Sequence, residues 1–215
     1  FVDEEDIYSL IEDMMSFVIK ESMGFEINTP FERLKYEEAI ERFGSDKPDL
    51  RFGMELRNIS DIVEKCNFKV FKEVVEKGGV VKAINAKGCS FYSRKDIDEL
   101  TNYVSNYGAK GLAWMIIEEK TIKSPIAKFF AEQELEKIKL KLDAKVGDLL
   151  LFVADMPDIT ADALGNLRLE IARRENLLNK NELKFVWVTH FPLFEYDDEE
   201  KRYVSIHHPF TSPCE

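Results

Sequence analysis

The feature that most constrains this chain is a change of pattern at Gly44-Ser45-Asp46-Lys47-Pro48-Asp49. Pro48 lacks a backbone donor and biases the residue before it away from the helical region, so no helix runs through this turn. Before it the chain reads as helix. Ile7, Leu10, Ile11, Met14, Phe17 and Val18 recur at the spacing of one helical face, with Asp3 as N-cap, Asp6 three residues on, and Gly24 as the stop. A second, shorter helix carries Tyr36, Ala39, Ile40 and Phe43 and closes at Gly44.

After the turn, short helices and strands alternate, the mark of a mixed α and β unit. Helix starts are predicted at Ser60, at Ser93 with Asp96 completing a capping box, and at Ser124 with Pro125 in the first helical position. In the Ser93 helix, Ile97, Leu100, Val104 and Tyr107 share a face and Gly108 supplies the stop. Strands are predicted at Val80 to Ile84, Leu112 to Ile117 and Leu149 to Val153, all rich in large or β-branched apolar residues. A helix from Thr160 to about Leu178 follows, then a strand from Phe185 to Val188. The acidic run Glu195 to Glu200 reads as a hairpin tip before a returning strand, Tyr203 to Ile206.

Composition narrows the function classes. The 215 residues are 45% hydrophobic, enough for one substantial core or two small ones, which excludes a disordered tail or a disulfide-stapled miniprotein. Thirty Lys and Arg against 41 Asp and Glu leave a net charge of −11, which argues against a surface that holds nucleic acid mainly by releasing counterions. The three cysteines, Cys66, Cys89 and Cys214, are far apart without a CxxC pair, so a reducing, cytoplasmic setting is expected. No apolar run is long enough to span a bilayer and no basic stretch leads into one at the start. A chain opening on Phe1 and stopping at Glu215 straight after a motif-like run reads as a piece of something longer.

Candidate chemistry gathers at the C-terminal edge. His207 and His208 are adjacent, so in an extended chain they face opposite ways and cannot chelate one metal together without a bend. No metal site is expected, since Asp197 and Cys214 are poor further ligands. The bland reading has one imidazole hydrogen-bonded in a core and the other solvated; the functional one has both offering donors to a carboxylate or phosphate. The 44–51 turn sets Gly, Ser and Lys together but lacks the second glycine of a phosphate loop, so a salt-bridged turn is expected there. The Lys/Glu run from Glu132 to Lys145 alternates in sign and reads as a solvated helix face. Arg168, Arg173 and Arg174 could contact phosphate, although surface arginines on helices are common.

Four motifs carry further than periodicity. Phe-Gly-Ser-Asp-Lys-Pro-Asp-Leu-Arg-Phe (43–52), Ala-Asp-Ala-Leu-Gly-Asn-Leu-Arg-Leu-Glu-Ile-Ala (161–172), Phe-Val-Trp-Val-Thr-His-Phe-Pro-Leu-Phe-Glu (185–195) and His-His-Pro-Phe-Thr-Ser-Pro (207–213) resemble, in this order, bacterial-type aspartyl-tRNA synthetase. The resemblance covers essentially the whole chain. It implies an α+β fold in which a GAD-type insertion domain of mixed sheet and helix, residues 53–182, is flanked by pieces of a class II antiparallel catalytic core, residues 1–52 and 183–215. It also implies an enzyme that condenses L-aspartate with ATP and Mg2+ to an aspartyl-adenylate and passes the aspartyl group to tRNA(Asp), as a homodimer without membrane or DNA partners.

By motif match His207 and His208 line the amino-acid pocket, with His207 the first choice for touching bound aspartate and neither abstracting a proton. The arginine that grips the α-phosphate and the late acidic residues of the family fall outside the stretch covered. No catalytic residue is therefore assigned here, and the piece alone is expected to bind no cofactor and to be inactive. One departure is that His190 stands before Phe191-Pro192 where the family pattern has aspartate, exchanging a negative charge for a possible donor. A second implication keeps the chain non-catalytic: a scaffold or binding module that positions tRNA or contacts a subunit, like the GAD domains associated with tRNA-dependent amidotransferases.

Overall fold

A computed structural model describes residues 2–179, 181–197, 200–206 and 208. The chain divides into two compact units, one formed by residues 1–38 with 185–215 and the other by 39–184.

The smaller unit holds α1 (Glu4–Met23), β1 (Glu32–Lys35), β7 (Val186–Thr189) and the hairpin β8 (Phe194–Asp197) and β9 (Arg202–Ser205). α1 starts where the sequence predicts: the Asp3 carboxylate accepts from the Asp6 N–H at 3.0 Å while Asp6 accepts from Asp3 N–H at 3.1 Å. It stops at Gly24, whose φ of 72° is the left-handed cap that glycine adopts without strain. β1 pairs in parallel with β7, Glu32 opposite Val186 and Lys35 opposite Thr189. The two ends of this unit's sequence therefore share a sheet. β8 and β9 pair antiparallel, with the Tyr196 and Tyr203 rings 5.3 Å apart.

The larger unit is built on a five-stranded antiparallel sheet in the order β2-β3-β6-β4-β5. Its strands are β2 (Arg57–Asn58), β3 (Val80–Ala86), β4 (Ala113–Ile117), β5 (Ile122–Lys123) and β6 (Leu149–Asp155). The central strand β6 reads Leu-Leu-Leu-Phe-Val because both its faces are covered. Leu149, Leu151 and Val153 join one core with α5 (Arg94–Ser105) and α7 (Pro157–Arg174), while Leu150 and Phe152 join the other with α3 (Ser60–Val63), α4 (Lys69–Glu76) and α6 (Glu132–Lys141). The part of α2 (Tyr36–Phe43) from Ala39 onward belongs to this unit and buries Ala39 and Phe43.

Several expectations shift. The Ser93–Asp96 capping box forms as predicted. Ser124 does act as a cap, its hydroxyl accepting from the Ile126 and Ala127 N–H groups, but only one 3-10 turn, Ala127–Phe129, follows. α7 begins at Pro157 rather than Thr160 and ends at Arg174. The α1 stripe at Ile7, Leu10, Met14, Phe17 and Val18 is exposed, and Leu10 and Phe17 keep about two-thirds of their surface. The face α1 turns inward carries Glu12 instead. No helix among the described residues is long and apolar enough to cross a membrane.

Candidate functional site

In the smaller unit, the strand pair sets the geometry. Glu12 is buried on α1, and one of its oxygens accepts from the Phe31 N–H at 3.1 Å and from the Trp187 indole N–H at 2.9 Å. A buried carboxylate is tolerable because two donors satisfy it. It fastens α1 to residues at the starts of both strands. Next to it, the Arg33 guanidinium forks onto the Glu5 carboxylate and lies 4.2 Å over the Tyr8 ring, and its hydrogen bond holds Glu5 below the usual carboxylate range.

Beyond β7 the chain bends at His190, whose φ is 57° and whose Nδ1 is 2.9 Å from Thr189 Oγ1. Tyr36 packs on Phe191 with ring centroids 5.0 Å apart. Ile206 N–H donates to the Leu193 carbonyl at 3.2 Å, closing the root of the β8–β9 hairpin. His208 lies two residues past that root and is exposed. His207, with Pro209 and the rest of its motif, lies outside the described residues.

In the larger unit two of the four motifs interlock. Arg168, 1% exposed, projects from α7 into the 49–54 segment and donates to the carbonyls of Asp49 (3.1 Å), Gly53 (3.0 Å) and Met54 (3.2 Å), with Phe52 at 3.5 Å. Its guanidinium lies 4.3 Å over the Phe52 ring and 5.1 Å over Phe43. Burial lowers its pKa to about 10, which leaves it charged at neutral pH. Gly44, with φ 69°, meets Gly165 of α7 so closely that a Cβ on Gly165 would sit 2.7 Å from the Gly44 carbonyl oxygen. The expected salt-bridged turn is present: Arg51 forks onto Asp49 at 2.7 and 3.0 Å, and that hydrogen bond holds the Asp49 carboxyl low.

The three arginines considered for phosphate are thus differently placed. Arg168 grips backbone, whereas Arg173 and Arg174 pair with Glu170 at 2.6 and 2.8 Å. Arg168 had a sequence signal, since it falls on the same helical face as Ala161, Leu164 and Ile171. Glu12 had none in the stripe that the α1 periodicity picks out. Ser45 accepts from the Lys47 N–H at 3.1 Å, a turn contact without evident chemistry. Among the described residues no group of three or more His, Cys, Asp or Glu side chains is placed to hold a metal ion.

The chain is similar to known sequences in one part and along its length. Residues 71–164 match the GAD domain. The whole chain is 55% identical over 215 residues to an aspartate–tRNA(Asp/Asn) ligase of Moorella thermoacetica, covering 100% of this chain and 36% of that relative. An aspartate–tRNA(Asp/Asn) ligase of Heliobacterium modesticaldum is 56% identical over 213 residues, covering 99% and 35%. An aspartate–tRNA ligase of Listeria monocytogenes is 54% identical over 216 residues, again covering 100% and 36%. The chain spans 36% of the length of the first of these relatives.

Proposed function

We propose, from a chain that along its whole length is a relative of a segment of the bacterial aspartate–tRNA ligases and carries a GAD domain within it, that the protein serves ATP-dependent charging of tRNA(Asp) with L-aspartate in the cytoplasm. The observation that carries this reading is 55% identity extending through both compact units rather than through the GAD stretch alone. In it, residues 53–182 are the inserted domain, while 1–52 and 183–215 belong to a class II catalytic core that forms a homodimer. The exposed apolar stripe of α1 supports the core assignment, since it is a face that a larger layer would cover; the β1–β7 pair joins the two flanking pieces, but in parallel rather than in the antiparallel sense expected of that core.

In this reading His207 and His208 border the aspartate pocket, His207 touching the bound amino acid through a ring N–H and His208 holding the neighbouring position. They orient the amino acid and take no proton from it, so their contribution is to hold its carboxylate where it meets the α-phosphate of ATP. ATP and its Mg2+ ion would be held by residues of the longer protein. The chain alone is inactive. In a full-length ligase, His207→Ala and His208→Ala are expected to raise the KM for aspartate at least about tenfold, with the affinity for tRNA unchanged. An unchanged KM for both variants would overturn the pocket assignment.

The sheet of the larger unit, covered on both faces by its own helices, also favours a second role for residues 53–182 as a scaffold rather than a reacting module. Titrating tRNA onto the chain at falling salt separates the two uses of that domain. Binding that strengthens as salt is lowered marks a tRNA contact, and no binding even at low salt leaves the scaffold.

A further inference from the structure

Two segments of the larger unit carry lysines and no acidic residue. Lys65 to Lys72 reads Lys-Cys-Asn-Phe-Lys-Val-Phe-Lys, and Lys120 to Ala131 holds Lys120, Lys123 and Lys128. In a chain of net charge −11 these stretches are a local reversal of sign, the kind of place to which a polyanion is confined.

The fold brings the two segments together. Asn67 N–H donates to the Phe129 carbonyl at 3.1 Å, and Phe68 stacks on Phe129 with ring centroids 5.5 Å apart. Lys128 lies 5.1 Å over the Phe129 ring, and Lys69 follows Phe68 as the first residue of α4, so both cations flank this aromatic seam. Lys72 stands three residues along α4 on the face of Lys69, and Lys65 lies two residues before Asn67. All four lysines are exposed.

Carboxylates reach only the outer two. Glu64 is 3.5 Å from Lys65 and Glu76 is 3.9 Å from Lys72, longer than an ordinary hydrogen bond and open to solvent screening. Lys69 and Lys128 have no ion-pair partner among the described residues, although Glu73 lies one turn along α4 from Lys69. The first turn of α4 has neither an acidic residue nor a capping side chain, so the helix dipole adds to the positive field there instead of being offset. With Phe68 stacked on Phe129 and Lys128 over it, that ring is not free to take a base, whereas ammonium groups on flexible stems suit phosphates.

We propose that this corner, formed by Lys65, Lys69, Lys72 and Lys128, binds the sugar–phosphate backbone of RNA and holds the larger unit against the tRNA of the preceding reading without reading its bases. The choice of tRNA rests on that reading; the charge and exposure of the corner do not.

The test titrates the 215-residue chain with tRNA(Asp) over a range of salt. Four neutralised phosphates give a slope of log K against log salt of about −3 to −4. Lys69→Gln with Lys128→Gln is expected to make that slope shallower by about two and to weaken binding about tenfold at low salt, equally for tRNA(Asp) and for a tRNA of another specificity. Lys95→Gln with Lys145→Gln, the same loss of charge at exposed lysines outside the corner, leaves the slope as it was. In a full-length ligase the corner variant raises the KM for tRNA about fivefold and leaves aspartate-dependent pyrophosphate exchange, a step without tRNA, unchanged. Absence of that exchange in the unaltered ligase would remove the aspartate reading and leave the titration to decide this one. No tRNA binding at low salt, a slope that the corner variant does not alter, or a loss confined to one tRNA each defeats the proposal. So does displacement of the tRNA by polyglutamate of equal charge, which would assign the corner to an acidic protein.

Discussion

A guanidinium presents five N–H groups in a rigid fork, and Arg168 spends that fork on the carbonyls of a loop that has no strand or helix of its own. An ammonium cannot reach three carbonyls spread across residues 49–54, so charge alone does not explain the choice of residue. Arg168→Ala is expected to destabilise the larger unit by about 3 kcal/mol or more, because it leaves a void and several buried carbonyls without donors. Arg168→Lys should recover less than half of that, and urea denaturation followed by far-UV circular dichroism measures both. Around the same loop, Asp49 and Glu55 are held below the usual carboxylate range by hydrogen bonds from Arg51 and Arg42. A carboxyl whose folded pKa lies below its unfolded one contributes stability above the unfolded value, near pH 4, and loses it as the pH falls through the folded value. The urea midpoint should therefore drop below pH 4, and drop less steeply in Asp49→Asn with Glu55→Gln. An unchanged slope would mean that these pairs do not couple to folding.

At the scale of elements, local chemistry was legible and long-range partnership was not. The Asp3–Asp6 and Ser93–Asp96 boxes, the Gly24 and Gly44 stops and the apolar strands β3, β4 and β6 follow from residues within a few positions of one another. Ser93→Ala should cost about 1 kcal/mol through loss of its cap, read as a lowered melting temperature. β1 was unreadable because Glu-Arg-Leu-Lys has no strand pattern; it exists only through pairing with β7, more than 150 residues away. The exposed stripe of α1 failed for a related reason, since periodicity identifies an apolar face but not the element it packs on. Gly165 shows tertiary contact outweighing propensity. Alanine is the better helix former by about 1 kcal/mol, yet its Cβ would press on the carbonyl oxygens of Gly44 and Phe43 at 2.7 and 3.0 Å. Gly165→Ala is expected to be net destabilising by about 2 kcal/mol, while Gly111→Ala, with open space around it, should be close to neutral.

Across the whole molecule, the three motifs that lie within the described residues divide between two compact units. The 43–52 and 161–172 segments lock to each other in the larger one, and 185–195 forms β7 and the start of the hairpin in the smaller. Motif order alone could point to a family, but not to the fact that two of its motifs hold each other in place. For the candidate pocket the sequence reached further than the described structure, because His208 is exposed beyond β9 and His207 lies outside the described residues. Under the proposed function, these residues serve aspartate activation only as part of a longer ligase. Aspartate-dependent exchange of pyrophosphate into ATP tests it most directly: exchange by a full-length ligase containing these 215 residues and none by the chain itself is the result expected. Exchange catalysed by the isolated chain, or a full-length protein that activates an amino acid other than aspartate, would contradict it.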